Sequence, residues 1–245
     1  MSTDFSKIEF NQTWHRYFYA GQELTSVTAK IKDLQKPFDQ QSVAARVAGR
    51  EGKTVEQVLA EWNAKGEASR NNGTAVHAHI EKVLTGKLDP RQQSFDGILD
   101  LNPKLPEVAA FDDLWGKLAP TVDIYTGCIE WVIGDAELGL AGTVDCMLLN
   151  QQTKQYNIFD WKTGKFDTAN TFENLLPPFA HLDASKLNIY SLQVNLYRLM
   201  IERNTDLKLG DCYIVHLAPT GYQIHKAADL RPQLLGWLQR EMAHA

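Results

Sequence analysis

The chain has 245 residues, 44% of them hydrophobic and 22% charged, with a formal net charge of −5. That is enough chain for one well-filled domain, and its acidic balance argues against a protein that coats nucleic acid through bulk positive charge, while leaving room for a local phosphate site. No run approaches the roughly 20 apolar residues of a membrane span, and the opening MSTDFSKIEF carries neither the basic nor the apolar segment of a secretory signal, so cytoplasmic residence is expected.

The first 25 residues are polar and aromatic (Trp14, Tyr17, Phe18, Tyr19) and show no periodicity that assigns them. From Ser26 the pattern turns helical. Ser26-Val27-Thr28 can cap a helix over 27–35, Pro37 breaks it, and a second helix is expected over 38–50. Thr54 followed by Gln57 has the form of a capping box and opens a helix to about residue 70. Gly73-Thr74 is read as the start of another over 74–84, ended by Gly86. Residues 1–72 are thus expected to form an N-terminal helical region, and 73–245 the core. The segment 86–120 mixes Gly, Pro and short apolar runs, and predicts a loop with one helix near 106–118.

The middle third changes character. Residues 122–134, 139–149 and 155–162 are rich in β-branched and aromatic residues, have strand length, and are separated by turn-like clusters. They predict a three-stranded antiparallel meander. After a loop at 165–185 containing Pro177-Pro178, apolar residues at spacings of three and four predict a helix over 184–204. Two strands (210–217, 221–227) and a final amphipathic helix (229–243) follow, giving an α/β fold. Cys128, Cys146 and Cys212 form no C-x-x-C pair and lie in apolar runs, which reads as small buried hydrophobes in a reducing compartment.

The chemistry concentrates in two neighbouring strands. Asp145 stands in the otherwise apolar Ala141-Gly142-Thr143-Val144-Asp145-Cys146-Met147 run, and Asp160 and Lys162 interrupt the next strand in the same way. A carboxylate buried there is expensive without a cation, a hydrogen-bond network or a raised pKa. Residues two apart on a strand share a face, so Asp160 and Lys162 point together and Trp161 points away. A hairpin through 150–154 brings Asp145 beside them. Two acids and a lysine suit Mg²⁺ or Mn²⁺ and a scissile phosphate; an Asp–Lys ion pair on a sheet surface fits the same spacing.

Taken in order, Gly142-Thr143-Val144-Asp145, Asp160-Trp161-Lys162-Thr163 and Gln193-Val194-Asn195-Leu196-Tyr197 resemble the G-x-x-D, D-x-K-T and Q-x-x-x-Y motifs of RecB-like PD-(D/E)XK nucleases. Gly73-Thr74-Ala75-Val76-His77 with Ile80-Glu81 is similar to that family's early helix, and the similarity spans about residues 73–217, with 26–72 resembling small phage and mitochondrial single-domain exonucleases. The resemblance implies a restriction-endonuclease-like core, a central mixed sheet flanked by helices. It implies His77, Asp145 and Asp160 as metal ligands, the Trp161 carbonyl as a fourth, and Lys162 as the catalytic lysine. Gln193 and Tyr197 would lie over the site from one helix face, and Glu130 stands where many relatives carry a glutamate. His79, two residues beyond His77, would face elsewhere. Relatives with an iron–sulfur cluster carry three close cysteines after these motifs; only Cys212 stands there, so no cluster is expected.

The function this implies is a Mg²⁺- or Mn²⁺-dependent DNA exonuclease acting on ends or single strands. The alternatives are a structure-specific DNA endonuclease and a non-catalytic nucleic-acid-binding subunit. No G-x-x-x-x-G-K-[ST] loop is present, so motor activity would come from a recombination or helicase partner. Lys30, Lys32, Lys36, Arg46, Arg50, Lys53, Lys65 and Arg70 are candidates for a phosphate-binding patch. Trp14, Tyr17, Phe18, Trp62 and Trp115 are candidates for base stacking.

Overall fold

The computed structural model describes residues 2–87 and 105–244. The loop expected in the first part of 86–120 falls largely outside them. Among the described residues eight strands form one mixed sheet: β1 (Ile8–Asn11), β2 (Arg16–Tyr19), β3 (Gln22–Ser26), β4 (Val122–Asp135), β5 (Leu140–Asn150), β6 (Tyr156–Lys162), β7 (Leu209–Ala218) and β8 (Gly221–Lys226). The helices are α1 (Val27–Lys32), α2 (Gln40–Glu51), α3 (Val55–Leu84), α4 (Pro106–Leu118), α5 (Lys186–Asn204) and α6 (Arg231–His244). Among the described residues no helix is long and apolar enough to cross a membrane.

The meander β4–β5–β6 is antiparallel throughout, as the short turn-like clusters between its runs predict. The parallel pairs are β3–β5 and β6–β7. Helices cover both faces. On one, α1, α5 and α6 close a core through Val27, Ile31, Leu196, Met200, Leu234 and Trp237. On the other, Val76 and Ile80 of α3 and Phe111 and Leu114 of α4 pack on Cys146, Phe159 and Trp161. Each helix buries one apolar stripe against the sheet, which is the main source of its stability.

Two expectations are corrected. The opening 25 residues form strands: β1, β2 and β3 make an antiparallel unit, and β3 joins the main sheet at Thr25–Leu140 and Ser26–Ala141. Their aromatic residues build a separate small core of Ile8, Tyr17 and Leu24 with Phe10 and Tyr19 against it. The helices expected to 70 and from 74 are one continuous 30-residue helix, so the division drawn between residues 72 and 73 falls inside α3. The Thr54/Gln57 capping box opens it, each side chain bonded to the other's backbone N–H (3.2 and 2.9 Å). Gly73 lies inside this helix and does not start one. A Cβ there would lie 3.3 Å from Thr163 Oγ1, so the glycine lets α3 approach the end of β6.

The sheet forks at β5. One edge of that strand pairs with β4 along its length, while the other pairs with β3 at residues 140–141 and with β6 at residues 146–149. Between those contacts, residues 142–145 have no strand partner on that edge. Asp145 lies in this gap.

Candidate metal centre

The strands around the gap are irregular. Ile129 and Cys146, which face each other, pack in the core against α3 and α4, whereas Trp131 and Val144, the pair two residues along, pack toward α5. Residues two apart on a regular strand share a face. Glu130 and Asp145, the residues between, are therefore the points where both strands step out of the pleat. Glu130 has φ +47°, a left-handed conformation that side chains other than glycine rarely adopt, and β4 shifts register just before it. Strain of this kind, about 1–3 kcal/mol, persists where the surroundings over-determine it.

This irregularity brings three side chains together. One ligand atom each of His77, Glu130 and Asp145 lies within 4.8 Å of the other two. His77 Nδ1 is 3.7 Å from Glu130 Oε1 and 3.9 Å from Asp145 Oδ2. The other ring nitrogen, Nε2, is 3.1 Å from the Trp161 carbonyl. A carbonyl only accepts, so Nε2 donates and carries a proton. In the neutral ring the Nδ1 lone pair then points at the two carboxylates. That is how a metal-binding histidine is normally oriented, by a backbone acceptor on its far nitrogen. The Trp161 carbonyl, expected among the ligands, accepts this bond and orients the His77 ring. Burial by itself lowers the pKa of His77, but Asp145 and Glu130 outweigh it and raise it to about 9.

Asp145 Oδ2 accepts the Trp161 backbone N–H at 2.8 Å, closing the strand end that the fork leaves open. Asp160 stands one position beyond the last β5–β6 pair, Cys146–Phe159, across from Asp145. It is 1% exposed, and neither oxygen accepts an aligned hydrogen bond; its charge is met by Lys162 Nζ at 2.8 Å. Burial, opposed by Lys162 and reinforced by Asp145, raises its carboxyl to about 6. Lys162 is raised above the ordinary lysine value because Asp160 and Asp145 together outweigh its burial. The group that converges is His77, Glu130 and Asp145, with Asp160 beside it on the next strand. A buried carboxylate without aligned donors, next to a preformed imidazole–dicarboxylate set, fits a divalent cation.

Helix α5 covers the site. Gln193 Nε2 donates to Tyr197 Oη at 2.9 Å, and both residues are buried. Gly142 is required below Tyr197, because a Cβ there would lie 2.6 Å from the ring. Tyr190, one turn before Gln193, has Lys162 Nζ 4.5 Å above its ring and was not singled out by any motif. Its spacing, three before Gln193 and seven before Tyr197, is the signal that finds it. His79 faces away and pairs with Asp112 at 2.8 Å.

The expected phosphate patch is smaller than the sequence suggests. Lys30 pairs with Asp33 and Glu241, Lys53 with Glu51 and Glu61, and Arg50 with Glu51. Of the aromatic candidates, Tyr17 and Trp115 are core residues, Phe18 and Trp62 are half-buried, and Trp14 is exposed. Comparison with protein-family models and with curated proteins finds no match to this chain.

Proposed function

We propose that the protein is a divalent-metal-dependent DNA nuclease of the PD-(D/E)XK, RecB-like type, working as an exonuclease on DNA ends or single strands. The observation that carries this reading is the convergence of His77, Glu130 and Asp145 beside the buried Asp160–Lys162 pair. Taking charges out of water costs several kcal/mol per ion even after relaxation, and Glu130 adds backbone strain. The mixed eight-stranded sheet with helices on both faces is compatible with a restriction-endonuclease-like core.

His77, Glu130 and Asp145 would hold the cation, which when bound supplies Lewis acidity and neutralises charge growing on a phosphodiester. The imidazole in the set favours Mn²⁺ over Mg²⁺, which prefers oxygen ligands. Lys162 stays an ammonium, because the two aspartates stabilise its charge. Its part is to offset negative charge on the phosphate rather than to take a proton from water. Asp160 and the Tyr190 ring hold that ammonium in place. Gln193 and Tyr197 fix α5 over the fork. Hydrolysis joins a water oxygen to phosphorus and breaks one ester P–O bond, leaving a phosphate monoester and a hydroxyl.

Purified protein incubated with end-labelled single- and double-stranded DNA tests the proposal. Cleavage with Mn²⁺ or Mg²⁺ that stops in EDTA is expected, and DNA left intact under every metal condition contradicts it. A covalently closed circle separates the two modes of cutting, since an exonuclease leaves it whole.

A further inference from the structure

Tyr17 of β2 reaches the fork from outside the motif-bearing part of the chain. Its ring is 3% exposed, stacks on Phe10 at 4.7 Å with 27° between the planes, and packs with Ile8, Leu24 and Ala141. Thr143, two residues beyond Ala141 on β5, shares its face, and Tyr17 Oη and Thr143 Oγ1 share a hydrogen bond of 3.1 Å. That bond falls inside the gap. Before the gap, β5 is held on this edge by β3 at Ser26–Ala141; after it, by β6 at Cys146–Phe159 and by the Trp161 N–H on Asp145. On the opposite edge the partner is β4, which is itself strained at Glu130. Among the described residues, the bond to Tyr17 is the one side-chain hydrogen bond that β5 makes between residues 140 and 144. Glu130 also acts on the Tyr17 hydroxyl, whose pKa is raised mainly by burial, with Thr143 opposing and Glu130 adding to the rise.

We propose that Tyr17 is a positioning residue for the metal centre: through Thr143 its hydroxyl holds the unpartnered stretch of β5 next to the step in the pleat, so that Asp145 meets Glu130 and His77. The β1–β2 hairpin thereby belongs to the site, although no motif marks it. The inference deepens the nuclease reading and rests on it for the cation that the three side chains hold. Metal ligands keep their geometry only while groups behind them are fixed, and here the strand that carries a ligand lacks its ladder on one edge. Apolar contact of the ring is non-directional and gives no register. A hydrogen bond fixes both distance and direction. Because the ring is seated in the small core with Ile8 and Leu24, the hydroxyl can be removed with that packing left in place.

The test uses the full chain and reads Mn²⁺ affinity by titration, alongside urea unfolding and DNA cutting. Tyr17→Phe removes the hydroxyl alone and is expected to weaken Mn²⁺ binding by a factor on the order of ten, the size of a lost partner behind a metal ligand. Thr143→Val removes the other hydroxyl and should do the same, with the double variant no weaker than either single one. Thr143→Ser keeps a hydroxyl and binds Mn²⁺ as the wild type does. A residue that only stabilises the hairpin would lower the urea midpoint and leave the Mn²⁺ affinity of the folded protein unchanged. That result in Tyr17→Phe overturns the inference, as do losses that add in the double variant. Should Tyr17→Phe fail to fold, Thr143→Val against Thr143→Ser decides: a tenfold gap in affinity upholds the inference and equal affinities reject it. Mn²⁺ binding without DNA cutting contradicts the nuclease reading alone, and the same affinities still decide the part of Tyr17. No Mn²⁺ binding by the wild type overturns both.

Discussion

Glu130 joins the two observations on which the site rests, a left-handed backbone inside a strand and a carboxylate 3.7 Å from His77. Replacing it by glycine separates them. Glycine accepts positive φ, so Glu130→Gly is expected to change unfolding stability by no more than about 1 kcal/mol. Affinity for Mn²⁺ should fall by at least the roughly tenfold seen when metal sites lose a supporting partner. Urea unfolding and a Mn²⁺ titration read the two effects separately. His77 gives a pH dependence with a definite sign. Its proton is held up to about pH 9, above the ordinary 6.5, and an ion binding at Nδ1 has to displace it. Apparent metal affinity should therefore rise with pH until about 9 and then level off, and His77→Ala should abolish that slope. In the metal-free protein the same group contributes stability that is complete below 6.5 and is lost as pH rises through about 9.

Among the elements, α5 comes close to β5 at one point, where Gly142 leaves space for the ring of Tyr197. A methyl group there would lie 2.6 Å from a buried ring that has no room to retreat. Gly142→Ala should cost about 1–3 kcal/mol in urea unfolding, with loss of activity as Tyr197 leaves Gln193. Period and capping made much of this architecture legible in the sequence. The meander shows in its β-branched runs, and α5 in the spacing of its apolar residues. The Thr54/Gln57 box also reads directly. Three things did not. Strands β1 to β3 are only 4 or 5 residues long, too short to show alternation. The continuity of α3 was hidden because Gly73 is a spacing residue, and glycine near a gap in the apolar pattern looks the same as a stop. The fork depends on β3 pairing with residues more than a hundred positions away, which no local pattern encodes. The motif residues were legible for the same reason that they are costly, being charges in apolar strands. Which carboxylates converge on His77 was not, since that depends on the coincident irregularities at Glu130 and Asp145.

At the scale of the molecule, a net charge of −5 is compatible with phosphate binding because the positive groups needed are local, at Lys162, Lys165 and Lys186. The site also needs the sheet edges on either side of the fork to keep their places. The end of α5 is tied to the end of β4 through Arg203, whose Nε meets the buried Asp135 at 2.7 Å. Asn204 and the Leu138 N–H complete the shell of that carboxylate. Arg203→Ala leaves the charge buried with neutral donors alone and should cost about 2 kcal/mol in urea unfolding, without altering the metal affinity of the folded protein. In the proposed reading Asp145, with His77 and Glu130, holds an ion that drives phosphodiester cleavage. Its most direct test is the rate at which an end-labelled DNA strand is cut in saturating Mn²⁺ by the wild-type protein and by Asp145→Asn. Metal-dependent cutting is expected of the wild type, with a loss of about a hundredfold or more in the variant, at least the effect of removing a partner outside the metal's own ligands. Equal rates for the two proteins would contradict it.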